Sequence, residues 1–246
     1  MFDSHYEVVL ADSPAARTIH HKIRYHVYCV ERGFENPARF PTGEERDPWD
    51  DDSVHFVVRE RGSGRCVAAM RLILPRAVDF PVEALGCLEP SRTEGLRRRQ
   101  LAEISRICVV RTPATWMYRG ASLSGLGQVP KSRELDVLLG MLRTINVYGT
   151  ERGIEHCYLL VTEAFVRVLR RMGVVLRQAG SAVDYRGSRT PYLVSLRESA
   201  ASMRAKAAAI ERLFSRERLA YRRSSEIDED TVDPDSLLIQ PAVALA

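Results

Sequence analysis

Long hydrophobic runs are missing from these 246 residues: no stretch approaches the roughly 18 uncharged apolar residues that a membrane-spanning helix needs. Met1 to Arg17 carries Asp3, Glu7 and Asp12 and so lacks the basic, then apolar, pattern of a secretory signal. A cytoplasmic protein without a membrane span is the expectation. Cysteine is scarce too. Cys29, Cys66, Cys87, Cys108 and Cys157 are odd in number and contain no CxxC pair, which argues against a disulfide framework and a zinc ribbon. Lysine is rarer still, with only Lys22, Lys131 and Lys206 among 36 basic residues. Arg suits carboxylate and phosphate recognition, although a GC-rich coding bias produces the same ratio. The net charge of +4 is too small to demand a nucleic-acid partner, and the basic clusters lack interleaved aromatics.

What is present is ordinary core material: 45% hydrophobic and 28% charged residues, enough for one large domain or one domain with an appendage. Tyr6 to Ala11 alternates as a short strand. Ser13-Pro14 opens an amphipathic helix to about Arg32, which Gly33 stops. Glu44 to Asp52 holds six acids against one Arg and, with Pro48, reads as a loop. Val54 to Arg61 and Cys66 to Leu74 form a hairpin pattern around Gly62-Ser63-Gly64. Short helix and loop are expected over Pro81 to Gln100, a strand over Ala102 to Val110, and an inserted flexible loop over Thr112 to Ser132. A buried helix face over Leu135 to Arg152 precedes a strand at His156 to Val161, a helix at Glu163 to Met172, and strands at Val174 to Gln178 and Tyr192 to Leu196. The spacing of Met203, Ala207, Ile210 and Phe214 predicts one helix within Ser199 to Arg223, followed by an acidic run and an apolar tail. The expected division is therefore a main domain over 1–198 and a C-terminal helix and tail over 199–246.

This order is that of an α+β protein with a mixed, mostly antiparallel sheet, and it resembles the layout of GNAT-type N-acyltransferases. Particular residues sharpen the likeness. Arg24, Tyr28 and Phe34 lie at offsets of four and ten, followed by Glu45-x-Asp47-x-x-Asp50, Arg71-Leu72 and Glu103-x-Ser105-Arg106. That succession resembles the acyl-homoserine-lactone (autoinducer) synthases. Tyr28-Cys29-x-Glu31, Phe34-Glu35, Asp50-x-x-Ser53-x-His55, Ala102 to Arg106 and Tyr185-x-Gly187-x-Arg189-x-Pro191-Tyr192 are similar to the acyltransferases of PEP-CTERM/exosortase systems, a branch related also to N-acyl amino acid synthases. The lactone synthases have Phe and Trp where this chain has Tyr28 and Phe34. The resemblance implies that the Trp shapes the S-adenosylmethionine pocket, so its replacement favours another acceptor amine.

Acyl transfer to an amine needs a proton acceptor, a polarised thioester carbonyl and a slot for phosphopantetheine. Glu103 is the candidate general base, its carboxyl raised by burial, and Arg106 either forks the acceptor's carboxylate or orients Glu103. Arg24, Tyr28, Phe34, Asp47, Asp50, Arg71 and Ser105 are the candidate substrate-binding set. Arg24, Arg71 and Arg106 would balance Asp47, Asp50 and Glu103, or the same six would form a purely structural ion-pair network. No Gly-rich pyrophosphate cradle follows Val110, since Gly120 to Gly127 has the wrong spacing, so acyl carrier protein is expected as donor rather than coenzyme A. Arg97, Arg98, Arg99, Arg167, Arg170 and Arg171 are the candidate docking residues for that acidic partner, a solvated basic face being the alternative. No tightly bound cofactor is expected beyond the acyl-phosphopantetheine donor. No metal is expected either, because His20, His21, His26 and Cys29 share one helix without a second ligand set. The expected activity is transfer of a fatty acyl group to the amine of an amino acid or similar small molecule. The alternatives are a lactone synthase using S-adenosylmethionine and a non-catalytic acyl-binding regulatory module.

Overall fold

A computed structural model describes residues 2–112 and 126–226. Strand β1 (Tyr6–Leu10) leads into helix α1 (Pro14–Tyr25), whose first turn is set by the Ser13 hydroxyl accepting from the Ala16 N–H, with Pro14 where no amide partner is needed. Beyond Tyr25 the backbone widens into a π-helical turn, His26–Glu31, and Gly33 ends it at φ +61°, a conformation that favours glycine. The acidic segment is more ordered than a loop. Asp47 and Asp50 form a reciprocal cap on a 3₁₀ helix, Pro48–Asp52. The hairpin follows as β2 (Ser53–Glu60) and β3 (Cys66–Ile73). Short helices α2 (Pro81–Ala84) and α3 (Pro90–Thr93) then precede β4 (Leu101–Val109).

Most of the expected inserted loop lies outside the described residues, but its last part, from Leu126 to Ser132, is not free chain. Leu126 pairs with Cys66, and Leu126 and Val129 are buried. Helix α4 (Glu134–Thr150), strand β5 (His156–Val161) and helix α5 (Glu163–Met172) follow, with Thr162 capping α5 and Gly173 closing it at φ +99°. Strands β6 (Leu176–Gln178), β7 (Val183–Asp184) and β8 (Ser188–Ser195) complete that half. The two-residue β7 had no sequence signal of its own.

One sheet runs in the order β6-β8-β5-β4-β3-β2-β1-β9, with β7 on β8. Only β4–β5 and β1–β9 are parallel, so the mixed, mostly antiparallel sheet is present as expected. Its two faces differ. Ala68, Met70 and Leu72 of β3 point into a large apolar core shared with α4 and the C-terminal helices. Ala69 and Ile73 point the other way, into two smaller cores beneath α1 and beneath the segment around Phe80 and Val82. Between those two, on the same face, lies a polar row: His55 pairs with Arg71, and Arg71 with Ser105.

The single helix expected within 199–223 is instead two, α6 (Leu196–Lys206) and α7 (Ala208–Phe214), parted where Ala207 turns extended. Of the expected stripe, Met203 and Phe214 join the large core and Ile210 packs against it, whereas Ala207 is exposed and Leu213 is buried in its stead. Arg222 and Arg223 then form β9 (Arg222–Arg223), a parallel edge strand on β1. The expected boundary at 198/199 therefore falls inside a helix. The acidic run beyond Glu226 and the apolar tail lie outside the described residues. Among the described residues no helix is long and apolar enough to cross a membrane.

Candidate functional site

The polar row is the floor of a charged cluster assembled from four segments. Helix α1 supplies Arg24, the capped 3₁₀ segment supplies Glu45, Asp47 and Asp50, β3 supplies Arg71, and β4 supplies Glu103, Ser105 and Arg106. The reciprocal cap fixes the carboxylates: Asp47 accepts from the Trp49 N–H at 3.1 Å and Asp50 from the Asp47 N–H at 2.8 Å. Their remaining oxygens take the guanidinium groups. Arg24 donates to Glu45 and to Asp50, both at 2.5 Å. Arg71 donates to Asp47 at 2.5 Å, Asp50 at 2.8 Å and the Ser105 hydroxyl at 2.9 Å. Burial by itself would raise the Asp50 carboxyl, but Arg24 and Arg71 beside it hold it well below the usual carboxylate range.

Arg106 reaches this cluster because β4 is irregular. Arg71 faces Ser105 while Ala69 faces Cys108, so Met70 opposes two residues, and Arg106 sits at φ +50° in the resulting bulge. In a regular strand, adjacent side chains point to opposite faces. The bulge lets both Ser105 and Arg106 serve the same face, and Arg106 donates to Glu45 at 3.1 Å and Asp47 at 2.9 Å.

Glu103 stands apart. The expected pairing of three arginines with Asp47, Asp50 and Glu103 is wrong in its third member: Glu45 is the third carboxylate, 1% exposed and bridging Arg24 and Arg106. Glu103 instead accepts from the Val82 N–H of α2 at 2.9 Å. Burial pushes its carboxyl up to about 8, against the downward pull of that N–H and of Arg71 and Arg106. A group titrating there exchanges a proton readily near neutrality. The sheet also splits at this residue. β4 and β5 pair only from Leu101–His156 to Glu103–Tyr158; beyond that, β4 stays with β3 and β5 with β8.

Comparison with known proteins agrees with this fold. A family model described as an acetyltransferase (GNAT) domain matches residues 23–121. The fold is GNAT-like. Among solved structures, the lactone synthase BjaI, described as coenzyme-A-dependent and bound to SAM and isopentyl-CoA, superposes with a TM-score of 0.60 at 16% identity, covering 89% of this chain and 93% of its own. TofI in a ternary complex with an inhibitor and MTA gives 0.58 at 19% identity, over 83% of this chain and 99% of that one. FeeM, an N-acyl amino acid synthase from uncultured soil microbes, gives 0.55 at 11%, over 80% and 94%. No curated protein sequence matches the chain.

The other expected residues lie as follows on the GNAT-like scaffold. Tyr28 and Phe34 are neighbours, ring centroids 6.4 Å apart; the Tyr28 hydroxyl donates to the Ile107 carbonyl at 3.2 Å, and the Arg106 guanidinium lies 5.5 Å from the Tyr28 ring. Phe34 is 39% exposed. Arg98 does not belong with a docking face. It bonds Glu83 and the carbonyls of Pro75, Ala77 and Val78, and its guanidinium stacks 3.8 Å from the Phe80 ring centre. Arg97, Arg99, Arg167, Arg170 and Arg171 are exposed.

Sequence reasoning missed three participants. Glu45 stood in the acidic motif without a role. The Val82 N–H gives no sequence signal at all, being main chain. Arg186, at φ +55° in the β7–β8 turn, pairs with Glu35 and so latches the segment after α1 to that turn.

Proposed function

We propose that this protein is an N-acyltransferase that moves a fatty acyl group from a thioester to the amine of a small α-amino carboxylate. The observation that carries the reading is Glu103: a buried carboxyl titrating near 8 at the point where β4 and β5 part. Strands that part leave backbone N–H and C=O groups without ladder partners. An extended pantetheine arm can take those groups, which brings its thioester beside Glu103. Glu103, once ionised, accepts the ammonium proton; the amine attacks the carbonyl, and the tetrahedral adduct collapses with cleavage of the C–S bond, the nitrogen's second proton going to the departing thiolate to give the free pantetheine thiol and the amide.

The acceptor's carboxylate has an anchor in the arginine cluster. Arg24 Nη2 and Arg71 Nη2 are buried without hydrogen-bond partners, so the cluster keeps unused donors even though none of its three guanidinium groups is free of a carboxylate. With Glu45 counted, three acids offset three arginines. The cluster therefore has no excess of positive charge to disfavour a sulfonium acceptor, and this observation supports a second reading, a lactone synthase using S-adenosylmethionine. BjaI and TofI, described with SAM and with MTA respectively, share the fold. The motifs from Tyr28 to Glu35 and from Tyr185 to Tyr192 support the first reading and, with it, the PEP-CTERM-associated branch.

Acyl carrier protein is the proposed donor, docking on Arg97, Arg99, Arg167, Arg170 and Arg171. BjaI is described as coenzyme-A-dependent, so the donor is tested directly. Purified protein is offered acyl carrier protein or coenzyme A thioesters with a panel of amino acids and S-adenosylmethionine, and the product mass is read. An acylated amino acid is the expected product. Methylthioadenosine with an acyl lactone would replace the first reading by the second, and no acyl product from any pair would reject both.

A further inference from the structure

Behind the arginine–carboxylate cluster, α1 and β2 bury three imidazoles against one another. His20 and His21 come from the helix and His55 from the strand; ring centroids lie 4.5 Å apart for His20–His55, 5.2 Å for His21–His55 and 5.4 Å for His20–His21. Their exposures are 0%, 3% and 4%. The sequence offered His20 and His21 without a second ligand set. The fold supplies it as His55, while His26 turns away to Thr112 and Glu31.

A neutral imidazole carries one donor and one acceptor nitrogen, and buried polar groups are normally paired. Among the described residues, both ring nitrogens of His20, both of His21 and Nδ1 of His55 have no hydrogen-bond partner. Only His55 Nε2 is engaged, 3.2 Å from the Asp50 carbonyl oxygen.

We propose that His20, His21 and His55 form a buried three-imidazole site for a transition-metal dication of the zinc class. One ring nitrogen from each lies within 4.8 Å of the other two. Zinc–nitrogen bonds of about 2.0–2.1 Å require ligand atoms about 3.4 Å apart in a tetrahedron, a closure that ring rotations supply. Imidazole sets suit zinc, copper, iron and nickel, and zinc accepts three histidines with a fourth position left open. Charge decides what stands near that position. Arg24 and Arg71 oppose an added cation, and Asp50, whose Oδ2 is 3.9 Å from His21 Nε2, is the group placed to offset it. A bound ion would thus fix Asp50, and through Asp50 the two guanidinium groups it holds.

The test uses the full chain, stripped of metal by a chelator and titrated with Co²⁺ alone. Visible d–d absorption saturating at one ion per chain is expected, with displacement by Zn²⁺. X-ray absorption of the zinc-loaded wild type should count three imidazole ligands. His55→Gln should weaken binding by more than about 100-fold, beyond the 10–100-fold typical of losing an outer partner of a ligand. His26→Asn should bind as the wild type does. No saturable binding of either metal, fewer than three imidazoles, or unchanged affinity in His55→Gln overturns the site. Should His55→Gln fail to fold, the ligand count on the wild type decides alone.

Discussion

At the residue scale the candidate base carries its own stability signature. The folded protein keeps the Glu103 proton up to about pH 8, whereas the unfolded chain loses it near the ordinary glutamate value of 4.5. Between those values the native state binds more protons than the unfolded state, so this residue makes stability fall as pH rises, and the fall ends above about 8. Glu103→Gln has no such slope. Relative to the wild type it should gain about 2–3 kcal/mol between pH 5.5 and 7.5 in denaturant unfolding, at 1.36 kcal/mol per pH unit. It should also lose about 10²- to 10⁴-fold in kcat, and with it the limb near pH 8 in the kcat profile. A folded variant with near-normal turnover would remove Glu103 from the chemistry. Asp50→Asn should behave oppositely, because it leaves Arg24 and Arg71 short of a buried counter-charge, and a loss of about 3–5 kcal/mol is expected in the same unfolding measurement. These residues were legible as types in a motif, but their pairing was not. Which acid serves which arginine depends on the reciprocal cap of Asp47 and Asp50, and that turn aims Glu45, not Glu103, at Arg24 and Arg106.

At the element scale, two irregularities do what regular periodicity cannot. The bulge in β4 brings Arg106 round to the face of Ser105, and no alternation in the sequence marks an extra residue in a strand. The segment from Pro75 to Glu83 is braced by Arg98, through three carbonyls and Glu83, and by the Trp49 indole N–H on the Asp79 carbonyl, and its Val82 N–H is the group that touches Glu103. In the sequence Arg98 is the middle of three identical residues; only the fold separates it from its neighbours. Regular elements were readable because their signals are local: the Ser13-Pro14 cap, the Gly62–Gly64 turn, the Gly33 stop. The separation of the three arginines gives a prediction. Arg98→Ala should cost about 1–3 kcal/mol of stability and lower kcat with either thioester donor, by loosening the support of Glu103. Arg97→Glu with Arg99→Glu should leave kcat unchanged and raise KM for the carrier-protein donor, most strongly at low salt. Equal effects of the two variants on kcat and KM would mean that the arginines do not divide into a brace and a docking face.

At the scale of the whole molecule, the chain closes on itself through its C-terminal part. The buried Arg143 of α4 donates to Asp3 near the N-terminus and to the carbonyls of Leu213 and Leu219, and Thr144 donates to the Ala220 carbonyl at 2.6 Å. Ser224 accepts from the main-chain N–H groups of Asp12 and Ser13 ahead of α1. Sequence periodicity showed an apolar stripe there but not its partner, because the partner is made from residues 70 or more positions away and from the free edge of β1. The stripe belongs to the same core as β3 and α4, and the edge strand β9 covers β1. Unfolding should therefore be one cooperative event that includes residues 196–226, as a shared core demands. Phe214→Ala should lower the stability of that single transition by about 3–5 kcal/mol and Leu213→Ala by about 2–5 kcal/mol, the ranges for emptying buried apolar sites of those sizes. Calorimetry and far-UV circular dichroism should give one coincident transition for wild type and variants. Were the C-terminal part a separate appendage, two transitions would appear, and these substitutions would move only the lower one.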